Sequence, residues 1–145
     1  MDILSTLTTR HPELMTQVGV ALKIESAPYM ALCVESIGEG PRGLPALSIA
    51  HYGLQNGDLM CDPEMCFEME IENGSVKEFH PYYFRNDYAN CEQTAVIYDG
   101  EDPDRKRLYR IDLLMMTGQR EFARTWDRNI VDQGFLLVTD YSVNL

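Results

Sequence analysis

The chain has no apolar run that approaches the roughly 18 residues needed to cross a bilayer. Its first residues, MDILSTLTTRHPELM, show no basic segment followed by a long apolar segment and a cleavage site of small residues, so a secretory signal is not expected. With 145 residues, of which 45% are hydrophobic and 24% charged, the chain suits one domain with a single core. We therefore expect a soluble protein of the cytoplasm.

Positive charge is scarce, because 12 Lys and Arg residues face 23 Asp and Glu residues, for a formal net charge of -11. Such a charge repels phosphate groups, so direct binding to nucleic acid or to a membrane surface is not expected. Three interpretations of the acidity remain: solubility, recognition of a basic partner, and mimicry of DNA. No run of five or six consecutive acidic residues occurs, which excludes an acidic tail.

Enzyme and metal signatures are also missing. The four cysteines (Cys33, Cys61, Cys66 and Cys91) form no CxxC pair, so their spacing argues against a zinc ribbon, and without a secretory signal we expect reduced thiols. The sequence contains no GxxxxGK[ST], HExxH or GxSxG motif and no GxGxxG that is followed by a predicted helix. No cofactor or metal is predicted, and an enzyme is the less favoured interpretation.

Hydrophobic periodicity predicts an α+β fold in one domain, residues 1–145. Alternating apolar residues and turn signals predict an antiparallel meander of strands at 18–24, 29–37, 46–54, 64–71, 76–84 and 93–99, with a final strand at 135–143. A short helix is predicted over residues 3–10. A long C-terminal helix is predicted from a stripe of apolar residues: Leu108, Ile111, Met115, Phe122, Trp126 and Ile130. The two helices should pack on a curved sheet.

Local features refine this prediction. In EMCFEMEI (64–71), Met65, Phe67, Met69 and Ile71 should face the core, and Glu64, Glu68 and Glu70 should face water. If Asn73-Gly74 is a two-residue turn, Ile71 pairs with Val76 and Glu70 with Lys77. Gly118 could interrupt the long helix, and Gly134 suits the position just after its end.

The stretch HYGLQNGDLMCDPEM (51–65) is the main candidate for chemistry. With Asn-Gly as the turn, His51 faces Asp62 across a hairpin, and such a pair suits general-base work. Glu64 or His80 could complete a metal site only if the next strand folds over. The simpler interpretation is a polar cross-strand pair, and Pro63 predicts a bulge or strand break at this point.

A second cluster, HPYYFRNDYANCEQ (80–93), combines aromatic residues with an arginine, a composition typical of protein-binding hot spots. The alternative is that these aromatics fill the core and that the arginine pairs with a carboxylate. For the binding interpretation, the predicted residues are Asn56, Asp58, Tyr82, Tyr83, Arg85 and Asp87.

The chain resembles a family known only as an uncharacterised domain, mainly over residues 47–88, at LSIAHYGLQNGDLMCDPEMCFEMEI and FHPYYFRNDY. The members of this family are small proteins of bacterial mobile elements and phages, and they share a motif of the form AHYxxQNGDLMxDPEM. The resemblance implies an accessory gene of a mobile element. It carries over no catalytic residue.

Three functions are therefore compatible with the sequence. The first is a non-catalytic accessory protein that binds a protein partner through an acidic sheet face and the aromatic–Arg segment (82–88), as a monomer or a homodimer. The second is a small metal-dependent or acid/base enzyme centred on His51 and Asp62. The third is a DNA mimic, which would need carboxylates spaced like phosphates.

Overall fold

The computed structural model describes residues 1–138 and 142–144. Its helices and strands are, in chain order, α1 (Asp2–Arg10), β1 (Ala21–Ile24), β2 (Leu32–Glu39), β3 (Pro45–Gln55), β4 (Asp58–Glu72), β5 (Ser75–Asn86), β6 (Cys91–Thr94), β7 (Val96–Glu101), β8 (Arg107–Ile111), α2 (Leu113–Asp132) and β9 (Ser142–Asn144). Short 3₁₀ helices follow α1 at Pro12–Met15 and α2 at Phe135–Leu137.

Within the described residues, seven strands form one antiparallel sheet in the order β6-β5-β4-β3-β2-β1-β9. The strands from β1 to β6 are neighbours both in the chain and in the sheet, which makes this part a meander. A separate ribbon consists of β7 and β8. The predicted α+β class, with an antiparallel meander, a short first helix and a long second one, is confirmed.

One face of the sheet carries the core. Met65, Phe67 and Met69 of β4 are buried together, as predicted, because residues two apart in a strand point to the same face. The inner side of α2 supplies Met116, Gln119, Ala123, Trp126 and Ile130. The predicted core positions of Trp126 and Ile130 are therefore confirmed, whereas Ile71 is partly exposed at the far end of β4.

Glu68 is the main exception to the predicted alternation, because its side chain is 0% exposed instead of facing water. Its carboxylate accepts hydrogen bonds from Nε of Arg42 at 2.6 Å and from the backbone N–H groups of Arg42 at 3.0 Å and Leu44 at 3.2 Å. The loop between β2 and β3 folds over Glu68, and Gly40 leaves room for it, since a Cβ there would lie 2.8 Å from Oε2. The apolar periodicity within β4 cannot predict that a loop distant in sequence covers one of its side chains.

The long helix begins later than predicted. Leu108 and Ile111 lie in β8, exposed, and α2 starts at Leu113 because the side chain of Asp112 accepts a hydrogen bond from the backbone N–H of Met115 at 2.9 Å. The helix runs through Gly118 without a break. Gly134 adopts a φ of 85° just after the helix end, as predicted.

The predicted strand at 93–99 is in fact two strands that belong to different sheets. Ala95 is the residue between them: its N–H donates to Tyr82 O at 2.7 Å, and its carbonyl accepts from Asp112 N at 2.8 Å. These bonds connect the meander, the ribbon and the start of α2 at one point. The ribbon was not predicted, since β8 reads as helix by its apolar spacing.

Two further predictions concern strand ends and registers. The Asn73-Gly74 turn pairs Ile71 with Val76 as predicted, but a bulge then pairs Glu70 with Glu78 in place of Lys77. Lys77 Nζ still lies 3.5 Å from Glu70 Oε1. The first strand starts at Ala21, so Val18 is exposed and outside it.

The strand predicted at 135–143 is wrong at its start, because Phe135–Leu137 is a 3₁₀ helix. Residues 139–141 of that prediction lie outside the described residues, and a strand is present at Ser142–Asn144, where it pairs with β1.

Candidate functional site

His51 does not form a regular cross-strand pair with Asp62. The register of β3 and β4 shifts between Ala50, which pairs with Glu64, and Tyr52, which pairs with Cys61. One residue of β3 therefore opposes two of β4, which is the bulge predicted at Pro63. The predicted hairpin register is present from the turn up to Tyr52 and Cys61, and His51 then faces both Asp62 and Pro63 at the bulge. Among the residues that the structure describes, no hydrogen bond or ion pair joins His51 to Asp62.

The imidazole of His51 is part of the core. It is 6% exposed, and its ring centroid lies 5.7 Å from that of Trp126 and 5.6 Å from that of Phe135. Nδ1 lies 3.1 Å from Ala31 O, and because a carbonyl only accepts, Nδ1 carries the proton of that bond. Burial lowers the pKa of His51, which favours the neutral ring.

Lowering the pH from 7.5 to 5.5 should therefore reduce the free energy of unfolding more in the native chain than in His51→Gln. A histidine in the unfolded chain has a pKa of about 6.5, and burial places that of folded His51 lower. This contribution to stability is complete above pH 6.5 and is lost as the pH falls toward the folded pKa. Urea unfolding at several pH values measures the difference, and an NMR titration of the imidazole checks its assignment. Parallel pH profiles of the two proteins would refute it.

The other two residues of the predicted catalytic group make their hydrogen bonds with residues other than His51, although the charge of Asp62 partly offsets the effect of burial on the pKa of His51. Asp62 accepts a hydrogen bond from Asn86 Nδ2 at 3.2 Å. Glu64 accepts from Ser48 Oγ at 2.9 Å and from the thiol of Cys61 at 3.3 Å, and Cys66 Sγ lies 3.8 Å from it. The structure therefore does not bring the three predicted residues into one catalytic group.

The cysteines around Glu64 form no disulfide, and burial next to a carboxylate makes their thiols unreactive. All four cysteines are free thiols, in agreement with the predicted reduced state. Burial, reinforced by the Glu64 carboxylate, raises the pKa of Cys61 to about 12 and that of Cys66 to about 12. Because the thiolate is the reactive form of cysteine, these two side chains are poor nucleophiles at neutral pH.

The aromatic–Arg segment makes its polar contacts within the domain. Tyr83 donates to Glu92 at 2.8 Å, and Arg85 Nε lies 2.6 Å from Asp87. Asp87 also accepts from the backbone N–H of Cys61 at 2.8 Å, and this bond together with Arg85 lowers the pKa of Asp87. Burial and the bond to Glu92 raise the pKa of Tyr83. Tyr82 is half-buried and packs on Val96 and its neighbours.

The remaining predicted contacts are at the tip of the β3–β4 hairpin. Asn56 and Gly57 have φ values of 52° and 82°, so the predicted Asn-Gly turn is confirmed. Asn56 and Asp58 are exposed there, at the tip of the hairpin.

His80 belongs to a different group from the one predicted. Ligand atoms of Glu70, Glu78 and His80 lie within 4.8 Å of one another, the one such trio in the described part of the chain. Both imidazole nitrogens already face carboxylates, Nε2 at 3.1 Å from Glu70 and Nδ1 at 3.9 Å from Glu78. His80 and Lys77 together lower the pKa of Glu70. The contacts are those of an ion-pair group at the sheet surface.

Sequence reasoning missed the apolar surface formed by the ribbon and the first turn of α2. Every residue of β8 is exposed, and Leu113 and Leu114 follow at 71% and 85% exposure. We call this the ribbon surface, and its residues are Ile97, Tyr98, Leu108, Tyr109, Ile111, Leu113 and Leu114. A groove of about 490 Å³ lies beside it, between α2 and the strands β5 and β6.

A family model described as Domain of unknown function (DUF6908) matches residues 2–136. The chain belongs to this family. The predicted resemblance to an uncharacterised domain family is thus confirmed, while the mobile-element setting stays a prediction. No curated protein and no solved structure matches the chain.

The DUF6908 domain therefore offers an apolar surface and a groove in place of the predicted catalytic group. Neither of its two α-helices is long and apolar enough to cross a membrane, as far as the described residues go. The signal that could have revealed the ribbon surface is Asp112, a capping residue that separates LYRI from LLMM and so moves the helix start to Leu113.

Proposed function

We propose that this DUF6908 domain is a non-catalytic protein that binds a protein partner. The observation that carries the proposal is the ribbon surface, because many exposed apolar side chains within one ribbon and the adjoining helix turn are typical of sites where proteins associate. A ribbon of two strands is only marginally stable by itself. A partner that covered β8, which has no buried residue, would stabilise it.

The charges near this surface indicate what the partner presents. In a chain with a net charge of -11, the basic residues concentrate after position 104. Arg120, Arg124 and Arg128 are exposed at four-residue intervals on α2, and none of them forms an ion pair within the described part of the chain. Complementarity favours a partner with an apolar contact area and acidic residues around it.

The function expected from the sequence, binding of a protein partner, is kept, but the ribbon surface replaces the aromatic–Arg segment as the main contact. The aromatic–Arg segment remains the alternative contact, although Tyr83, Arg85 and Asp87 are engaged in bonds within the domain. A catalytic role receives less support, because His51 is buried and the thiols of Cys61 and Cys66 are held protonated. DNA mimicry stays a prediction.

Partner capture should be lost when the ribbon surface is made polar. The variant Leu108→Ser/Tyr109→Ser removes one exposed apolar side chain from each face of the ribbon, because neighbouring residues of a strand point to opposite faces. We expect a Kd at least about tenfold higher, since a hot-spot residue contributes about 2 kcal/mol or more. The partner is captured from a lysate of the encoding organism, identified by mass spectrometry and reconstituted from purified components. Isothermal titration calorimetry then gives the Kd of each variant.

Two controls define the result. Tyr29→Ser removes an equally exposed tyrosine in the turn between β1 and β2 and should leave the Kd unchanged. Arg85→Ala tests the aromatic–Arg segment. Loss of affinity in Arg85→Ala with full affinity in the ribbon variant would place the contact on the sheet instead. An affinity that does not fall as the salt concentration increases would contradict the proposal that acidic residues of the partner surround its apolar contact area.

A further inference from the structure

The groove beside α2 has aromatic and apolar walls. Phe84 of β5 and Phe122 of α2 pack edge to face with ring centroids 5.0 Å apart, and Met115 lies next to them. Leu114 stands at its edge, so the groove is continuous with the ribbon surface. Apolar walls of this kind favour an apolar guest, and the two aromatic rings favour an aromatic one.

A single unsatisfied polar atom belongs to this groove. Gln119 lines it and is 2% exposed, and its Nε2 donates to the backbone carbonyl of Gln93 at 3.3 Å. The other end of the same amide, Oε1, has no hydrogen-bond partner within the described residues. The amide cannot be reversed without placing Oε1 against a carbonyl that only accepts. A buried acceptor without a donor is destabilising, so a guest that supplies one is favoured.

Gly118 is a second, independent feature of the groove. It lies inside a 20-residue helix, where glycine is less favourable than alanine, and a Cβ built on it meets no atom within 4 Å. Packing within the domain therefore gives no reason for a glycine at this position. The missing side chain leaves the helix backbone open to a group that enters the groove.

We infer that this groove is an anchor pocket for one aromatic side chain with an N–H or O–H donor, a tryptophan or tyrosine of the protein partner. The ring packs along Phe84 and Phe122 and over Gly118. Its donor bonds Oε1 of Gln119 once the amide, which is closed to solvent in this structure, turns toward the groove. This inference rests on the proposed function, because the same partner that covers the ribbon surface supplies the side chain.

The test uses indole as the probe and benzofuran as its match, since benzofuran has the same shape and lacks the N–H donor. Each probe is titrated into the ¹⁵N-labelled protein. Binding is measured by NMR from the chemical shifts of the backbone amide of Gly118 and the side-chain amide of Gln119. Indole should shift both signals and bind about tenfold more tightly than benzofuran, because one hydrogen bond to a buried acceptor is worth about that factor.

Three variants assign the site. Gly118→Phe fills the groove and should abolish the indole shifts, whereas Thr117→Phe adds the same bulk at an exposed neighbour outside the groove and should retain them. Gln119→Met removes the acceptor and should make indole and benzofuran bind equally. Circular dichroism confirms the fold of each variant. Should Gln119→Met not fold, the comparison of Gly118→Phe with Thr117→Phe still shows whether indole binds in the groove.

Absence of indole shifts at Gly118 and Gln119, equal binding of the two probes to the native chain, or full binding to Gly118→Phe would overturn the inference. These results are separate from the ribbon experiment. Loss of partner affinity in Leu108→Ser/Tyr109→Ser together with no indole binding would leave the proposed function in place and remove the anchor pocket alone.

Discussion

Replacing Glu68 with glutamine should lower the free energy of unfolding by about 3–5 kcal/mol, the cost typical of leaving one member of a buried ion pair without its partner. The Glu68 side chain is 0% exposed, and that of Arg42 is 16% exposed. Glutamine keeps the size of the side chain and removes its charge, so the guanidinium of Arg42 stays covered without a counter-charge. Urea unfolding followed by circular dichroism measures the effect.

Two comparisons make this prediction specific to the buried carboxylate. Glu70→Gln alters an exposed carboxylate two residues along β4 and should cost far less than Glu68→Gln, because water screens exposed ion pairs. Arg42→Met should be milder than Glu68→Gln, because the backbone N–H groups of residue 42 and of Leu44 still donate to Glu68. A cost below 1 kcal/mol for Glu68→Gln would show that the loop does not depend on the charge.

The second large effect is expected for Trp126→Ala, which should destabilise the domain by about 3–5 kcal/mol, as for other buried aromatics replaced by alanine. Trp126 is the one tryptophan of the chain and is 6% exposed. Its ring lies 5.7 Å from His51 and 6.0 Å from Phe122, measured between centroids, so it joins β3 to α2. Removing it leaves a cavity under the helix that forms one wall of the groove.

Trp126→Phe retains an aromatic ring and should lose less than half as much stability, while Thr125→Ala at the exposed neighbouring position should be nearly neutral. Thermal unfolding by circular dichroism suits all three, because the alanine and phenylalanine variants lack tryptophan fluorescence. If Trp126→Ala were as stable as Thr125→Ala, α2 would be held to the sheet mainly by its other buried residues.

These stability experiments also bear on the proposed function. Gln119 and Phe122 lie on the same helix as Trp126, so the position of the groove depends on how α2 is held. A binding defect in a destabilised variant is therefore uninformative by itself. Leu108→Ser/Tyr109→Ser and Gly118→Phe change exposed positions for that reason, whereas Gln119→Met changes a buried one and depends on the check of its fold.

The candidate site was only partly predictable. The sequence indicated a bulge at Pro63 and a tight turn at Asn56-Gly57, and both are present. The hydrogen bond expected between His51 and Asp62 is not formed because His51 lies at the bulge itself, where the regular pairing of the two strands is interrupted. The ribbon was missed because Leu108 and Ile111 also fit helical spacing, and only the cap at Asp112 distinguishes the two structures.

The sequence by itself determined the class of this protein: alternating apolar residues and Asn-Gly turns specify antiparallel hairpins, and the spacing up to Ile130 specifies an amphipathic helix. Such signals are local, since each depends on residues a few positions apart. Tertiary structure alone decided that Glu68 is buried, that His51 packs in the core and that Gln119 borders a groove. Each of these depends on segments at least 20 residues away covering the side chain, and periodicity within one segment does not report which other segment covers it.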